Sequence, residues 1–149
     1  MLSSTELERY QKQILLSEIG ARGQELLKRA SVLIIGAGGV GSPVALYLAG
    51  AGIGRIGLAD GDTVALSNLH RQLLYRTKDI GQLKVDAARE DLMALNPEIQ
   101  VEIYPDYLDF NQVKQIAEGY DFIVDAADGL ETKLMIADAC AAAGKPHCH

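Results

Sequence analysis

Residues 31–52 read SVLIIGAGGVGSPVALYLAGAG, a short apolar run that breaks into glycines and continues as a helix. Val32 to Ile35 is too short for a buried helix and rich in β-branched residues, so it predicts a buried strand. Gly36, Gly38 and Gly41 spell G-x-G-x-x-G, Pro43 opens the helix that follows, and Val44, Leu46, Leu48 and Ala49 fill it. Glycines in such a turn let the backbone approach a ligand without Cβ interference, and the unpaired N–H groups at the helix start face bound negative charge. The same segment also fits a tight strand-to-helix turn with no ligand. The glycines alone do not say which nucleotide is held.

Outward from this turn, strands and helices alternate. Upstream, Ser3 and Glu6 fit a capping box, and Leu7, Tyr10, Ile14 and Leu15 fall near helical spacing, which predicts one amphipathic helix to about Leu16. Gly20 and Gly23 break it, and Gln24 to Arg29 predicts a second short helix. Downstream, Arg55 to Ala59 predicts a strand ending at Asp60, close to the ~20-residue spacing expected of a carboxylate that binds a ribose hydroxyl.

The polar connection from Val64 to Lys84 is longer than an ordinary strand-to-helix loop. Gly81 to Leu95 predicts a helix with Leu83, Ala87, Leu92 and Leu95 on its apolar side, and Ile99 to Tyr104 an edge or half-exposed strand. A helix over Asp109 to Glu118, a buried strand around Phe122, Ile123 and Val124, and a helix over Leu130 to Ala143 follow. Lys145 to His149 begins a fifth strand. The expected fold class is therefore α/β, a Rossmann-like, doubly wound, mainly parallel sheet with helices on both faces. We read residues 1–149 as one nucleotide-binding domain, with a helical segment at 1–29, a core at 30–149 and a sheet that stops short at its C-terminal side.

Composition narrows the function. A chain of 149 residues with 48% hydrophobic content is ordinary for one globular domain. The net charge of −6, with no basic stretch, speaks against nucleic acid as a partner. The N-terminus lacks a signal core and no apolar run is long enough to span a bilayer, so the expected setting is the cytoplasm, away from membranes. Cys140 and Cys148 form no C-x-x-C pair and read as buried or incidental thiols.

The residues that carry chemistry come in order along the chain: GAGGVG at 36–41, DGD at 60–62, SNLHRQ at 67–72, GQLK at 81–84 and Asp128 at the end of the fourth strand. Asp60 also fits a strand-end cap, Asn68 a turn former, and Arg71 a solvated surface charge. Lys84 near a helix start is opposed by the macrodipole unless an anion lies nearby. Asp128 and Glu131 make a D-x-x-E pair that fits an N-cap as well as a metal ligand.

Taken together, these motifs resemble the ThiF/MoeB family of adenylyltransferases, bacterial relatives of ubiquitin-activating enzymes, from about Arg9 to the last residue. Members are usually longer, so the resemblance is to their N-terminal, nucleotide-binding part. It implies that ATP reacts with the C-terminal glycine carboxylate of a ubiquitin-like sulfur-carrier protein ending in Gly-Gly, giving an acyl-adenylate and pyrophosphate for thiamine, molybdopterin or related sulfur transfer. The carboxylate is the nucleophile, so the enzyme supplies positioning and charge compensation.

The resemblance further implies that Gly36, Gly38, Gly39 and Gly41 cradle the nucleotide and that Asp60 holds the ribose. Asn68, Arg71 and Lys84 contact the phosphates, Ser67, Leu69 and His70 also belong to the nucleotide site, and Arg71, Lys84 and Asp128 are catalytic. Asp128 binds Mg2+, with Gly129 beside it where the family usually has asparagine. A homodimer is implied in which Lys12 of the partner subunit stands where the family has arginine; charge is kept and the bidentate fork is lost. Structural zinc is implied only for cysteine pairs beyond His149. Two other readings of the same glycine loop are an NAD-dependent oxidoreductase and a non-catalytic nucleotide-binding or dimerisation module.

Overall fold

The computed structural model describes all 149 residues. Five parallel strands form one sheet: β1 (Ser31–Ile35), β2 (Arg55–Ala59), β3 (Gln100–Tyr104), β4 (Phe122–Asp125) and β5 (His147–Cys148), in the order β3-β2-β1-β4-β5. Helices α4 (Gly41–Ala51), α5 (Lys84–Leu95), α6 (Phe110–Ala117) and α7 (Leu130–Ala142) make the crossovers. The order reverses between β1 and β4, and Ile35 is in register with both Ala59 and Asp125. The strand ends that follow these residues therefore share one rim, at the switch point where such sheets bind ligands.

Alternation along β1 divides the core. Val32 and Ile34 pack with Ala45 and Ala49 of α4 and with Val85, Ala88 and Leu92 of α5. Leu33 and Ile35 face the other side, with Val113 and Ala117 of α6 and Ile136, Ala139 and Cys140 of α7. β3 is an edge strand, as its half-exposed alternation predicts, and the short β5 is the other.

The N-terminal segment departs from the sequence expectation. The single helix to Leu16 is two, α1 (Ser4–Arg9) and α2 (Gln11–Ile14), because the chain turns at Tyr10 to bury its ring. That ring lies against Gly52, and its hydroxyl accepts a hydrogen bond from Asn96 Nδ2 at 2.8 Å. Leu7 and Leu15, expected on the buried face, are 47% and 72% exposed. Helix α3 (Gly20–Arg29) starts at a left-handed Gly20 (φ 58°) and carries Gly23 inside it, so Gly23 does not break the chain. A pair between Lys28 and the buried Glu6 at 2.7 Å ties the segment together.

Three further expectations shift. Helix α5 begins at Lys84, not Gly81, because Gly81 is left-handed (φ 87°) and Thr63 and Leu83 form an antiparallel bridge that keeps the preceding residues extended. Leu95 and Phe122 lie at the protein surface rather than in the core. Cys140 is buried as expected, whereas Cys148 on the short β5 is exposed.

Candidate nucleotide site

The glycine loop is held in shape from within. Gly36 has φ 98°, and a Cβ there would lie 2.5 Å from the Ala126 carbonyl oxygen; a Cβ on Gly41 would lie 1.9 Å from the Gly36 carbonyl oxygen. No larger residue fits either position with this backbone. The Ala37 peptide between them is fixed on both sides: its N–H donates to Asp60 Oδ2 at 2.7 Å, and its carbonyl accepts from the Tyr75 hydroxyl at 2.7 Å. Burial, followed by the charge of Asp60, raises the Tyr75 pKa, so its hydroxyl stays a donor. Asp60 Oδ1 also accepts the Asp62 N–H at 2.8 Å, which makes Asp60 a strand-end cap that pins the loop. A carboxylate has about four acceptor sites, so this capping leaves capacity for a ribose hydroxyl.

Above the rim lies a cavity of about 690 Å³. Gly36, Gly38 and Gly39 form part of its wall, with Asp60, Arg71, Lys84 and Asp128. The cavity joins Gly36 to residues as far along the chain as Ile136.

Lys84 is 6% exposed, and its Nζ lies 2.8 Å from Asp62 Oδ2 and 3.8 Å from Asp60 Oδ2. The anion that its helix-start position demands is thus supplied by two carboxylates of the chain itself. The Lys84 hydrogen bond, then the Tyr107 hydroxyl donating to the other oxygen, hold the Asp62 carboxyl below the usual range. In return the Tyr107 hydroxyl is pushed up to about 12. Arg71 lays its aliphatic stem over Gly39, where a Cβ would meet Arg71 Cδ at 3.4 Å. Its Nη1 donates to the Ser67 carbonyl at 3.2 Å and stands 3.3 Å from His70 Nε2.

Asp128 differs from the other acids. It lies three residues beyond the end of β4 rather than at that end. The N-cap of α7 is Gly129 (φ 87°), with no side-chain capping bond. The D-x-x-E cap does not form, and the exposed Asp128 carboxylate makes no hydrogen bond or ion pair within the chain. No group of three His, Cys, Asp or Glu side chains is gathered to hold a metal without a ligand's help.

Other expected positions lie off the walls. Gly41 sits beneath the loop as its packing partner. Asn68 forms a turn, accepting the Ala65 N–H at 3.0 Å, and Ser67, Leu69, His70 and Gly129 also lie outside the lining. Lys12 is exposed on α2, away from the cavity. Sequence reasoning missed Asp62, Gln72 and Tyr107, all of which line it. The first two stood inside the motifs DGD and SNLHRQ; an isolated loop tyrosine carries no such signal.

A parallel sheet with a pinned glycine loop at its switch point, and Arg71 and Lys84 lining the cavity above it, defines a doubly wound α/β fold with a candidate ligand site at its switch point. The ThiF family model matches residues 10–149, and the chain belongs to the ThiF family. It is 48% identical over 141 residues to a sulfur carrier protein adenylyltransferase of Thermus thermophilus, covering 95% of this chain and 52% of that protein. It is 50% identical over 145 residues to the adenylyltransferase and sulfurtransferase MOCS3 of Culex quinquefasciatus, covering 97% of this chain and 33% of that one. The chain thus spans between a third and about half of these relatives. Among solved structures, E. coli tRNA N6-threonylcarbamoyladenosine dehydratase, TcdA, in complex with ATP, matches with a TM-score of 0.91 at 30% identity over 99% of this chain and 60% of that one.

Proposed function

We propose that this chain is the nucleotide-binding part of a cytoplasmic, ATP-dependent adenylyltransferase that activates the C-terminal glycine carboxylate of a ubiquitin-like sulfur-carrier protein. The observation that carries the reading is the convergence of Arg71 and Lys84 on the Gly36–Gly41 loop in one cavity, with an uncommitted Asp128 on its wall. A sulfur-carrier adenylyltransferase at 48% identity and an ATP complex of a structural relative support it.

In this reading the carrier carboxylate oxygen bonds to the α-phosphorus of ATP and the bond to the leaving pyrophosphate breaks, so no enzyme residue becomes covalently attached. The loop amides and the α4 N-terminus receive the phosphates, and Asp60 receives the ribose. Arg71 and Lys84 compensate the charge that grows on the leaving pyrophosphate. Lys84 enters that role already oriented, since Asp62 holds it by backbone and side chain: the Lys84 N–H donates to the Asp62 carbonyl at 2.9 Å. Mg2+ fits Asp128, because this ion is commonly held by one or two carboxylates plus substrate phosphates and water. When bound it supplies further charge compensation.

We also assign the exposed Leu7, Leu15 and Leu16, with Lys12 beside them, to a homodimer contact that brings a third cation to the partner's phosphates. Size in solution, with and without residues 1–18, tests that contact. A shift from dimer to monomer on removal is expected; an unchanged size refutes it.

Calorimetry with ATP and NAD side by side tests the nucleotide. ATP binding without NAD binding is expected, and the reverse restores the oxidoreductase reading. The TcdA likeness raises a second reading, activation of a modified tRNA, which the net charge of −6 disfavours. Retention of tRNA at moderate salt by the protein would favour it over the carrier.

A further inference from the structure

Gln72 is 3% exposed, yet its Oε1 has no hydrogen-bond partner, and its Nε2 makes none within the chain. Its backbone is satisfied, donating to the Asn68 carbonyl at 3.0 Å and accepting from the Tyr75 N–H at 3.2 Å. The side chain is therefore not buried to support the turn. It lines the nucleotide cavity, and Nε2 lies 3.6 Å from where a Cβ of Gly38 would be, directly over the loop. Buried polar groups are almost always paired, so an amide left open at a cavity wall points to a partner that arrives with the ligand.

From this we infer that Gln72 is a phosphate-positioning residue of the cradle, donating from Nε2 to an oxygen of the polyphosphate chain as it lies over Gly38. The inference rests on the nucleotide reading above and deepens it. Phosphate oxygens only accept, so the amide N–H is the group that meets them, and Oε1 turns to a hydroxyl or water that enters with the ligand. Lys84 attracts the phosphates as a point charge, and Arg71 presents its planar fork from the side of Gly39. The amide on its short stem adds a fixed direction, and its neutrality lets it be buried before the ligand comes.

Gln72→Met separates this role from a structural one. It keeps length and volume but removes both polar atoms, and replacing an unsatisfied buried group by an apolar one of similar shape is neutral or stabilising. The ligand-free melting temperature is expected to hold or rise, while ATP affinity measured by calorimetry falls about 10-fold, the equivalent of one hydrogen bond to a charged acceptor. Adenosine, which lacks phosphates, loses nothing. Gln72→Glu, with a carboxylate over the loop, is expected to weaken ATP more than Gln72→Met does.

A lower ligand-free melting temperature for Gln72→Met, or unchanged ATP affinity in it, overturns the assignment. So does equal or tighter ATP binding by Gln72→Glu. Failure of the unsubstituted protein to bind ATP overturns the nucleotide reading itself and is distinguished from these outcomes by being independent of residue 72.

Discussion

Lys84→Met separates the ion pair that Lys84 makes from the phosphate role proposed for it. In the folded chain Lys84 Nζ lies against Asp62 at 2.8 Å and Asp60 at 3.8 Å, and is 6% exposed while Asp62 is 51% exposed. Breaking a fully buried pair costs about 3–5 kcal/mol and an exposed one ~0.2–1 kcal/mol, so this mixed pair is worth about 2 kcal/mol. For a chain of this size that lowers the melting temperature by about 4–8 °C. On the proposed function the substitution also removes a preorganised cation from the phosphates, which is expected to lower adenylation by the whole protein that carries this chain roughly 100- to 1,000-fold.

The two effects part company with Asp62→Asn. It removes the carboxylate that restrains Lys84 but keeps the lysine, so it loses stability with a much smaller loss of turnover. Thermal unfolding by circular dichroism, alongside ATP-dependent pyrophosphate exchange, measures both quantities. If Lys84→Met and Asp62→Asn lose stability equally and turnover equally, Lys84 acts only through its ion pair, and its role at the phosphates is refuted.

Asp128→Asn is expected to leave the melting temperature within about 1 °C, as for exposed sites without partners, but to cut adenylation roughly 100- to 1,000-fold; turnover near that of the unsubstituted protein would return Asp128 to the solvated surface. Gly41→Ala forces a Cβ onto the Gly36 carbonyl and is expected to cost at least the ~1–3 kcal/mol of an overpacked core site and to abolish ATP binding, which calorimetry and melting check together. Acid stability should carry the imprint of Asp62 and of Asp121, whose carboxyl is lowered by hydrogen bonds from the Ser31 hydroxyl and backbone N–H. Both pKa values lie lower in the folded chain, so their stabilisation is full above the unfolded aspartate value of about 3.9 and is lost as pH falls through the folded values. Asp121→Asn should therefore flatten the fall in melting temperature below about pH 4, and an unchanged profile would contradict this assignment.

The fold was legible because its signals are local and repeated. The β-branched run Val32–Ile35 marks β1, shorter apolar runs mark β2 and β4, and the alternation of strands with helices predicts the parallel topology. The N-terminal segment was not, because Tyr10 turns inward to meet Asn96, a contact 86 residues away that no periodicity reveals. The start of α5 was misplaced for a related reason: the bridge from Thr63 to Leu83 is tertiary, and Gly81 alone does not announce a left-handed turn.

At the site, motif residues were legible as a set, yet their division of labour was not. Asp60 and Asn68 both make the local hydrogen bonds that their unspecialised readings anticipate, whereas Asp128 does not make the cap that its spacing suggests. Lys84 shows why spacing alone underdetermines a role. The macrodipole argument calls for an anion, and the chain provides one in Asp62 before any phosphate is present.

The measurement that bears most directly on the central claim is exchange of labelled pyrophosphate into ATP by the whole protein that carries this chain, run with a carrier protein ending in Gly-Gly and with the same carrier lacking its last glycine. Carrier-dependent exchange that disappears with the truncated carrier is the predicted result. Exchange without any carrier, or none with the intact one, contradicts the account.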